Sequence, residues 1–409
     1  MDASLSSGGL APAPTWNIML VEGYMSRIIA ACALLVVLTA ACTPRPSLPH
    51  TDLPTADGHT GQPPAAPSPT ATSSILSDEA LAAELGAYME QQAANLSFSG
   101  AALVARRGNV LLQKGYGAAS RRWKRPNTEH TQFRIASISK EFTAVAILLL
   151  QAQGKLDVHD HMCVYMPDCP PAWADITLHQ LLTHTSGIPN DSDLPEYTSY
   201  QATPAAPAEL MQRLVDLPLE FPPGETWKYS NSGYLVLGTV IEQASGLPYE
   251  QFLEENIFTP LGMTNTGILG ATHLASGYAN CCDLTPADTS DPTVDYAAGG
   301  LYSTVGDLYI WDQALFDDQF LSPDLRKMAF TPYEYMTDFG GLSYGYGCMV
   351  GEMVGHHVVG HTGRLEGYLA LNFYFPDEQV AVILLANQRN PPVTSIFTQL
   401  ASMVLKPAY

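Results

Sequence analysis

Arg134-Ile135-Ala136-Ser137-Ile138-Ser139-Lys140, continued by Glu141 to Gln153, is the stretch from which the fold can be read. Good helix formers dominate the continuation, with an apolar run from Ala144 to Leu150, so a buried helix with polar chemistry at its start is expected. A serine and a lysine three residues apart share a helix face, which brings the ammonium nitrogen within hydrogen-bonding reach of the hydroxyl. Serine alone is too weak an acid to attack a carbonyl near neutral pH. A lysine made neutral by burial and nearby positive dipoles can take its proton. The free N–H groups at the helix start, that of Ser137 included, point where an oxyanion would form. Lys140 is the only lysine of the chain with a serine three positions before it. The short pattern also fits a capping serine beside a solvated lysine, so other parts of the chain must decide.

Two other stretches supply matching chemistry. Tyr229-Ser230-Asn231 lies on a turn after Pro222-Pro223-Gly224-Glu225 and before a helical run. A phenol there can relay a proton, and the Asn231 amide can hydrogen-bond Lys140 or a substrate amide. Gly360-His361-Thr362-Gly363-Arg364 follows a short strand and can lay its backbone along a substrate, the N–H of Arg364 completing an oxyanion hole. Three look-alikes are set aside. Tyr278-Ala279-Asn280 sits in a loop beside Cys281-Cys282 with no helix after it, and His59-Thr60-Gly61 sits in a segment that cannot fold. Gly341-Leu342-Ser343-Tyr344-Gly345 matches the G-x-S-x-G nucleophile elbow, but a strand follows where that elbow needs a helix.

Around these stretches the chain reads as α+β. Ser77-Asp78-Glu79 caps a helix to about Ala94, with Leu81, Leu85, Tyr88 and Met89 on one side. Gly100 to Ala105 and Val110 to Gln113 form a hairpin across Arg107-Gly108-Asn109. From about 156 to 290, short helical stretches broken by proline-rich turns, among them Ala208 to Leu217, describe an inserted helical subdomain. A helix from Thr304 to Leu315 follows, then strands at 345–350, 357–359, 369–375 and 380–386, and a closing helix at about 393–405. The expected architecture is an antiparallel sheet built from both chain ends and flanked by helices, with a cleft where it meets the helical subdomain.

The N-terminal region reads differently. Arg27 precedes the apolar run Ile28 to Leu38 and then Thr39-Ala40-Ala41-Cys42, the order of an export signal; residues 1–24 read as an upstream extension. Small residues before Cys42 resemble a bacterial lipobox, which implies cleavage and lipidation there and an exported, cell-envelope lipoprotein held to the membrane through Cys42; an uncleaved anchor is the alternative. Residues 43–76, rich in Pro, Thr, Ser and Ala, form a tether to the domain at 77–409. The formal net charge is −21, and 18 basic against 38 acidic residues remain without residues 1–42, which argues against nucleic acid as a partner. The cysteines show no zinc-ligand spacing; Cys163 and Cys169 are either a small-loop disulfide or two buried thiols.

With Ser137-x-x-Lys140, Tyr229-x-Asn231 and His361-Thr362-Gly363 in that order, the chain resembles the class C β-lactamase family, which includes D-alanyl-D-alanine carboxypeptidases and family VIII esterases. Leu181 to Gly187, Tyr229 to Tyr234 and Ala298 to Thr304 look like this family too, and the likeness covers roughly 80–405. It implies the β-lactamase/penicillin-binding-protein fold and a serine hydrolase without metal or organic cofactor, a monomer acting on a small-molecule or peptide substrate. Ser137 would form the acyl-enzyme, Lys140 and Tyr229 would share proton transfer, and Asn231, His361, Thr362, Gly363 and Arg364 would line the substrate and oxyanion sites. His184 and Ser186 would be turn residues away from the nucleophile. His361 stands where dedicated class C β-lactamases usually carry lysine, which favours the peptidase or esterase branches; Arg364 would replace that charge or narrow the cleft. A non-catalytic peptidoglycan sensor is the competing reading, against which the intact Ser137, Lys140 and Tyr229 argue.

Overall fold

The sheet is assembled around two apolar strands, β1 (Gly100–Arg106) and the last strand, Val380–Ala386. The second is buried at every position, because a strand covered on both faces needs no polar alternation. Its parity still sorts the two core layers. Ala101, Leu103 and Ala105, opposite Leu385, Ile383 and Ala381, face one apolar cluster; Ala102 and Val104, opposite Leu384 and Val382, face the other. The computed structural model describes residues 77–405 apart from 281, 282, 284, 338–340 and 390. The export signal, Cys42, the tether and His59-Thr60-Gly61 lie outside the described residues.

β2 (Asn109–Tyr116) returns from β1 across Arg107 and Gly108, whose φ values of 51° and 82° make the tight turn that suits a twisted hairpin. Five more strands precede the last one: β3 (Glu334–Tyr335), β4 (Ser343–Tyr344), β5 (Met349–Met353), β6 (His356–Leu365) and β7 (Tyr368–Phe375), which makes Val380–Ala386 β8. The order is β2-β1-β8-β7-β6-β5-β4-β3, antiparallel at every junction. One face is covered by α1 (Asp78–Ala94), through Leu81, Leu85 and Met89, and by the closing helix Val393–Val404, through Ile396, Phe397 and Leu400.

The other face carries α2 (Ser139–Ala152), α3 (Asn231–Ser245), α4 (Pro292–Gly299) and α5 (Val305–Leu315). Residues 156–290 contain short helices and turns around α3, and among the described residues their only β pairs are isolated bridges. Their apolar side chains, Trp173, Leu181, Leu237 and Phe252 among them, share one cluster with Leu103 and Ile383 of the sheet. The helix expected at Ala208 to Leu217 spans only Pro207–Gln212; turns continue from there. Cys163 and Cys169 form a disulfide.

One irregularity positions the site. β6 pairs with β5 only from His356 to Gly360, but with β7 from Val359 to Leu365. Beyond Gly360 its second side is open to another neighbour, and the chain at Ile135–Ala136 fills it. A side chain at Gly363 would place its Cβ 2.0 Å from the Ile135 carbonyl oxygen, so glycine is what lets strand and nucleophile turn touch.

Candidate active site

Ser137 does not lie within the long helix. It sits on a single 3₁₀ turn, Ala136–Ile138, that leads into α2. Ala136 has φ 48°, a left-handed conformation that a non-glycine residue keeps only when its surroundings hold it, and such backbone is concentrated at functional sites. Ser137 is partly exposed between buried neighbours on both sides.

Lys140 is fully buried, and Nζ lies 3.2 Å from Ser137 Oγ. It also donates to Asn231 Oδ1 and to the Ala298 carbonyl, each at 2.8 Å. A neutral amine has two N–H groups and one lone pair. With both N–H groups committed to Asn231 and Ala298, the lone pair is left for Ser137. Burial lowers the Lys140 pKa to about 7, against the opposing pull of the Asp191 and Asp295 carboxylates. Asp295 is itself buried and ion-paired with Arg134 at 2.9 Å.

Asn231 opens α3 and is clamped by a loop that sequence reasoning passed over. Its backbone N–H donates to Asn190 Oδ1 at 2.9 Å and its Nδ2 to Ser192 Oγ at 3.3 Å. Asp191 between them is buried and raised to about 7, with burial as the main cause. Burial lifts the Tyr229 phenol far above the ordinary range, and the nearby Ser137 hydroxyl opposes this only in part. The Lys140 ammonium lies 4.8 Å from the Tyr229 ring centroid.

His184 corrects an expectation. It is a turn residue, with φ 61°, but it lies against the site: its ring is 4.3 Å from the Tyr229 ring and 4.6 Å from that of Tyr344. Nδ1 accepts the Ser230 N–H at 3.2 Å, so in the neutral ring the proton is on Nε2. Burial first, then the Lys140 and His361 charges, hold its pKa well below the ordinary value. The turn after the short helix Leu178–Leu182 brings it back under Tyr229, a long-range consequence that spacing in Leu181 to Gly187 does not reveal.

His361 also differs from expectation. The imidazole is 1% exposed and stands in the wall, not on its surface. Nδ1 faces the Thr362 carbonyl, which only accepts, so Nδ1 carries the proton and Nε2 accepts the Tyr344 hydroxyl at 3.1 Å. Both nitrogens are used inside the protein, and burial lowers the pKa to about 3. Thr362 is half-buried, Gly363 touches the nucleophile turn, and the Arg364 side chain is exposed at the strand end. The look-alikes fall elsewhere. Tyr278 is buried and its hydroxyl accepts the Arg121 N–H, and Ser343 begins the two-residue strand β4, where its neighbour Tyr344 is the residue that reaches the site.

Directly after Lys140, Glu141 is buried beside Asp312 of α5. Trp311 Nε1 donates to Glu141 Oε2 and Asn372 Nδ2 to Asp312 Oδ1, each at 2.8 Å. Glu141 Oε1 and Asp312 Oδ2 have no partner among the described residues. Burial raises Asp312 to about 8, and burial with the Asp312 charge raises Glu141 well above the usual carboxylate range. The fold therefore keeps protons that the unfolded chain releases above about pH 4, and this term weakens stability as pH climbs toward 8. Asp312→Asn should accordingly melt higher than the parent at pH 8, by about 2 °C or more, with the gap shrinking toward pH 5. Thermal scans at the two pH values check this; a gap that widens toward pH 5 would mean that the ionised pair stabilises the fold.

The Beta-lactamase family profile matches residues 85–401. Penicillin-binding protein 4* of Bacillus subtilis is 30% identical over 313 residues, which span 71% of this chain and 68% of that protein. Esterase EstB of Burkholderia gladioli is 35% identical over 226 residues, 50% of this chain and 55% of the esterase. Among solved structures, the octameric penicillin-binding protein homologue from Pyrococcus abyssi superposes with a TM-score of 0.69 at 28% identity, covering 78% of this chain and 76% of that one. The chain belongs to the β-lactamase family, within the serine hydrolase superfamily of β-lactamase and penicillin-binding-protein type.

Proposed function

We propose that the chain is an active acyl hydrolase that uses Ser137 as nucleophile and prefers short esters or D-alanyl amides to β-lactams. The observation that carries this is the Lys140 amine, buried, near pKa 7, and held by two acceptors so that its lone pair meets Ser137 Oγ. As Oγ bonds to the substrate carbonyl carbon, the Ser137 proton passes to Nζ and the carbonyl electrons move onto oxygen, where the backbone N–H groups of Ser137 and Arg364 receive them. Tyr229 stays a phenol throughout the neutral range, so its part is to hand a proton to the departing oxygen or nitrogen and regain one from Lys140. Water then attacks the acyl carbon while its proton passes to Nζ, and the bond from Ser137 Oγ to the acyl group breaks as Oγ takes that proton back and the acid leaves.

The substrate preference follows from His361. A buried imidazole with both nitrogens occupied offers no charge to a carboxylate, whereas a charge-assisted hydrogen bond contributes on the order of 1.5–3 kcal/mol. The esterase among the relatives supports the ester arm. The N-terminal signal and Cys42 support an exported, lipid-anchored location.

Ser137→Ala should abolish both hydrolysis and labelling by a fluorophosphonate, while Ser343→Ala keeps both. kcat/KM for p-nitrophenyl esters or D-alanyl peptides should exceed that for cephalosporins on the same preparation. Label recovered on Ser343 would remove the assignment of the nucleophile; a wide preference for cephalosporins would remove only that of the substrate.

A further inference from the structure

Arg121-Arg122-Trp123-Lys124-Arg125 stands apart in a chain with 40 acidic and 19 basic residues, since four of the cations fall within five positions. The segment turns a short hairpin between Ala118–Ser120 and Arg125–Pro126, with Lys124 at φ 50°. Two of the cations secure it from behind. Arg121 donates to the carbonyls of Asn280 and Asp283 and lies 4.0 Å over the ring of the fully buried Tyr278; Arg125 donates to the Leu274 carbonyl at 2.6 Å. The other two, Arg122 and Lys124, flank Trp123, which at 75% is the most exposed large hydrophobic side chain among the described residues. Among those residues neither Arg122 nor Lys124 pairs with a carboxylate, and the Arg122 guanidinium lies 5.1 Å from the indole centroid.

We propose that this hairpin is a docking tip for an anionic lipid surface, with Trp123 seated at headgroup level between Arg122 and Lys124. An indole has an apolar body and a polar N–H and collects at the membrane–water boundary, and flanking Lys and Arg are drawn to anionic headgroups. A soluble polyanion fits less well, because an extended chain would have to run on across an acidic surface. Headgroups gathered at Arg122 and Lys124 need no contact beyond the hairpin, and over a Debye length of about 8 Å the remaining negative charge is screened.

The test uses the full chain on vesicles of brominated phosphatidylcholine with phosphatidylglycerol, reading quenching of tryptophan fluorescence in parent and Trp123→Phe. Whatever hold the N-terminal segment has on the bilayer is common to both, so the difference reports the hairpin. The parent should show an additional quenched component of about one tryptophan in five. That component should vanish in Arg122→Glu/Lys124→Glu and on vesicles without phosphatidylglycerol. Unchanged melting temperatures would show the variants folded, whatever becomes of the hydrolase assignment. Equal quenching of parent and Trp123→Phe overturns the proposal. So does a Trp123 component that persists on neutral vesicles, or a Trp123 response to soluble polyphosphate with none to vesicles.

Discussion

Lys140→Met should lower kcat/KM for a p-nitrophenyl ester by about 10³–10⁴, the upper part of what a positioned base contributes. Methionine has similar length and no charge, so the loss reports the amine and not a newly buried ion. The parent's pH profile belongs to the same prediction. With a pKa of about 7, Lys140 is a protonated donor to Ser137 at pH 6 and mostly a free base at pH 8, so kcat/KM should rise with pH through a midpoint near 7. The Met variant should lose that limb. Its Asn231 and Ala298 acceptors lose their partner, which costs about 1–3 kcal/mol of stability, so the melting temperature must be read beside the rates. Activity within tenfold of the parent, on a folded variant, would show that the Lys140 amine is not the base.

Gly363→Val should lower kcat/KM by at least about 10², because displacement of a reacting group by roughly an ångström has that effect. The Cβ would stand 2.0 Å from the Ile135 carbonyl, so β6 and the Ala136–Ile138 turn must separate. Overpacking of this kind costs about 1–3 kcal/mol, which a sheet of eight strands can absorb, so the variant should fold with a lowered melting temperature. Gly86→Ala is the control. Nothing lies within 4 Å of a Cβ there and the position is in the middle of α1, so activity and stability should hold or improve slightly. A Gly363→Val variant that labels at Ser137 at the parent's rate would show that contact between strand and turn is not needed for the reaction.

The elements were largely legible because their signals are local. The Ser77 hydroxyl accepts the Ala80 N–H and starts α1, and Thr304 accepts the Asp307 N–H and starts α5, as side-chain chemistry over three residues requires. The Arg107-Gly108 turn is likewise a two-residue matter. The run Ala208 to Leu217 failed for the opposite reason: helix propensity is weak, and after Gln212 packing selects turns. His184 and His361 show the same limit at the site. Their types and positions can be read, but which side faces the cleft depends on what packs behind each ring, here Tyr344 behind one and Ser230 behind the other.

From the residues alone came the serine and lysine on one turn, the Tyr-x-Asn triplet, the glycine between His361 and Arg364, and the order in which they occur, since each depends on spacing along the chain. Three-dimensional packing settled the rest. It drew Asn231 and the Ala298 carbonyl to the Lys140 amine, 91 and 158 residues away, and the burial of that amine brings its pKa near neutrality. It also placed the acid pair Glu141–Asp312 behind the base and turned the imidazole of His361 into the wall. Desolvation and hydrogen-bond geometry arise from contacts between distant segments, and no local pattern encodes them.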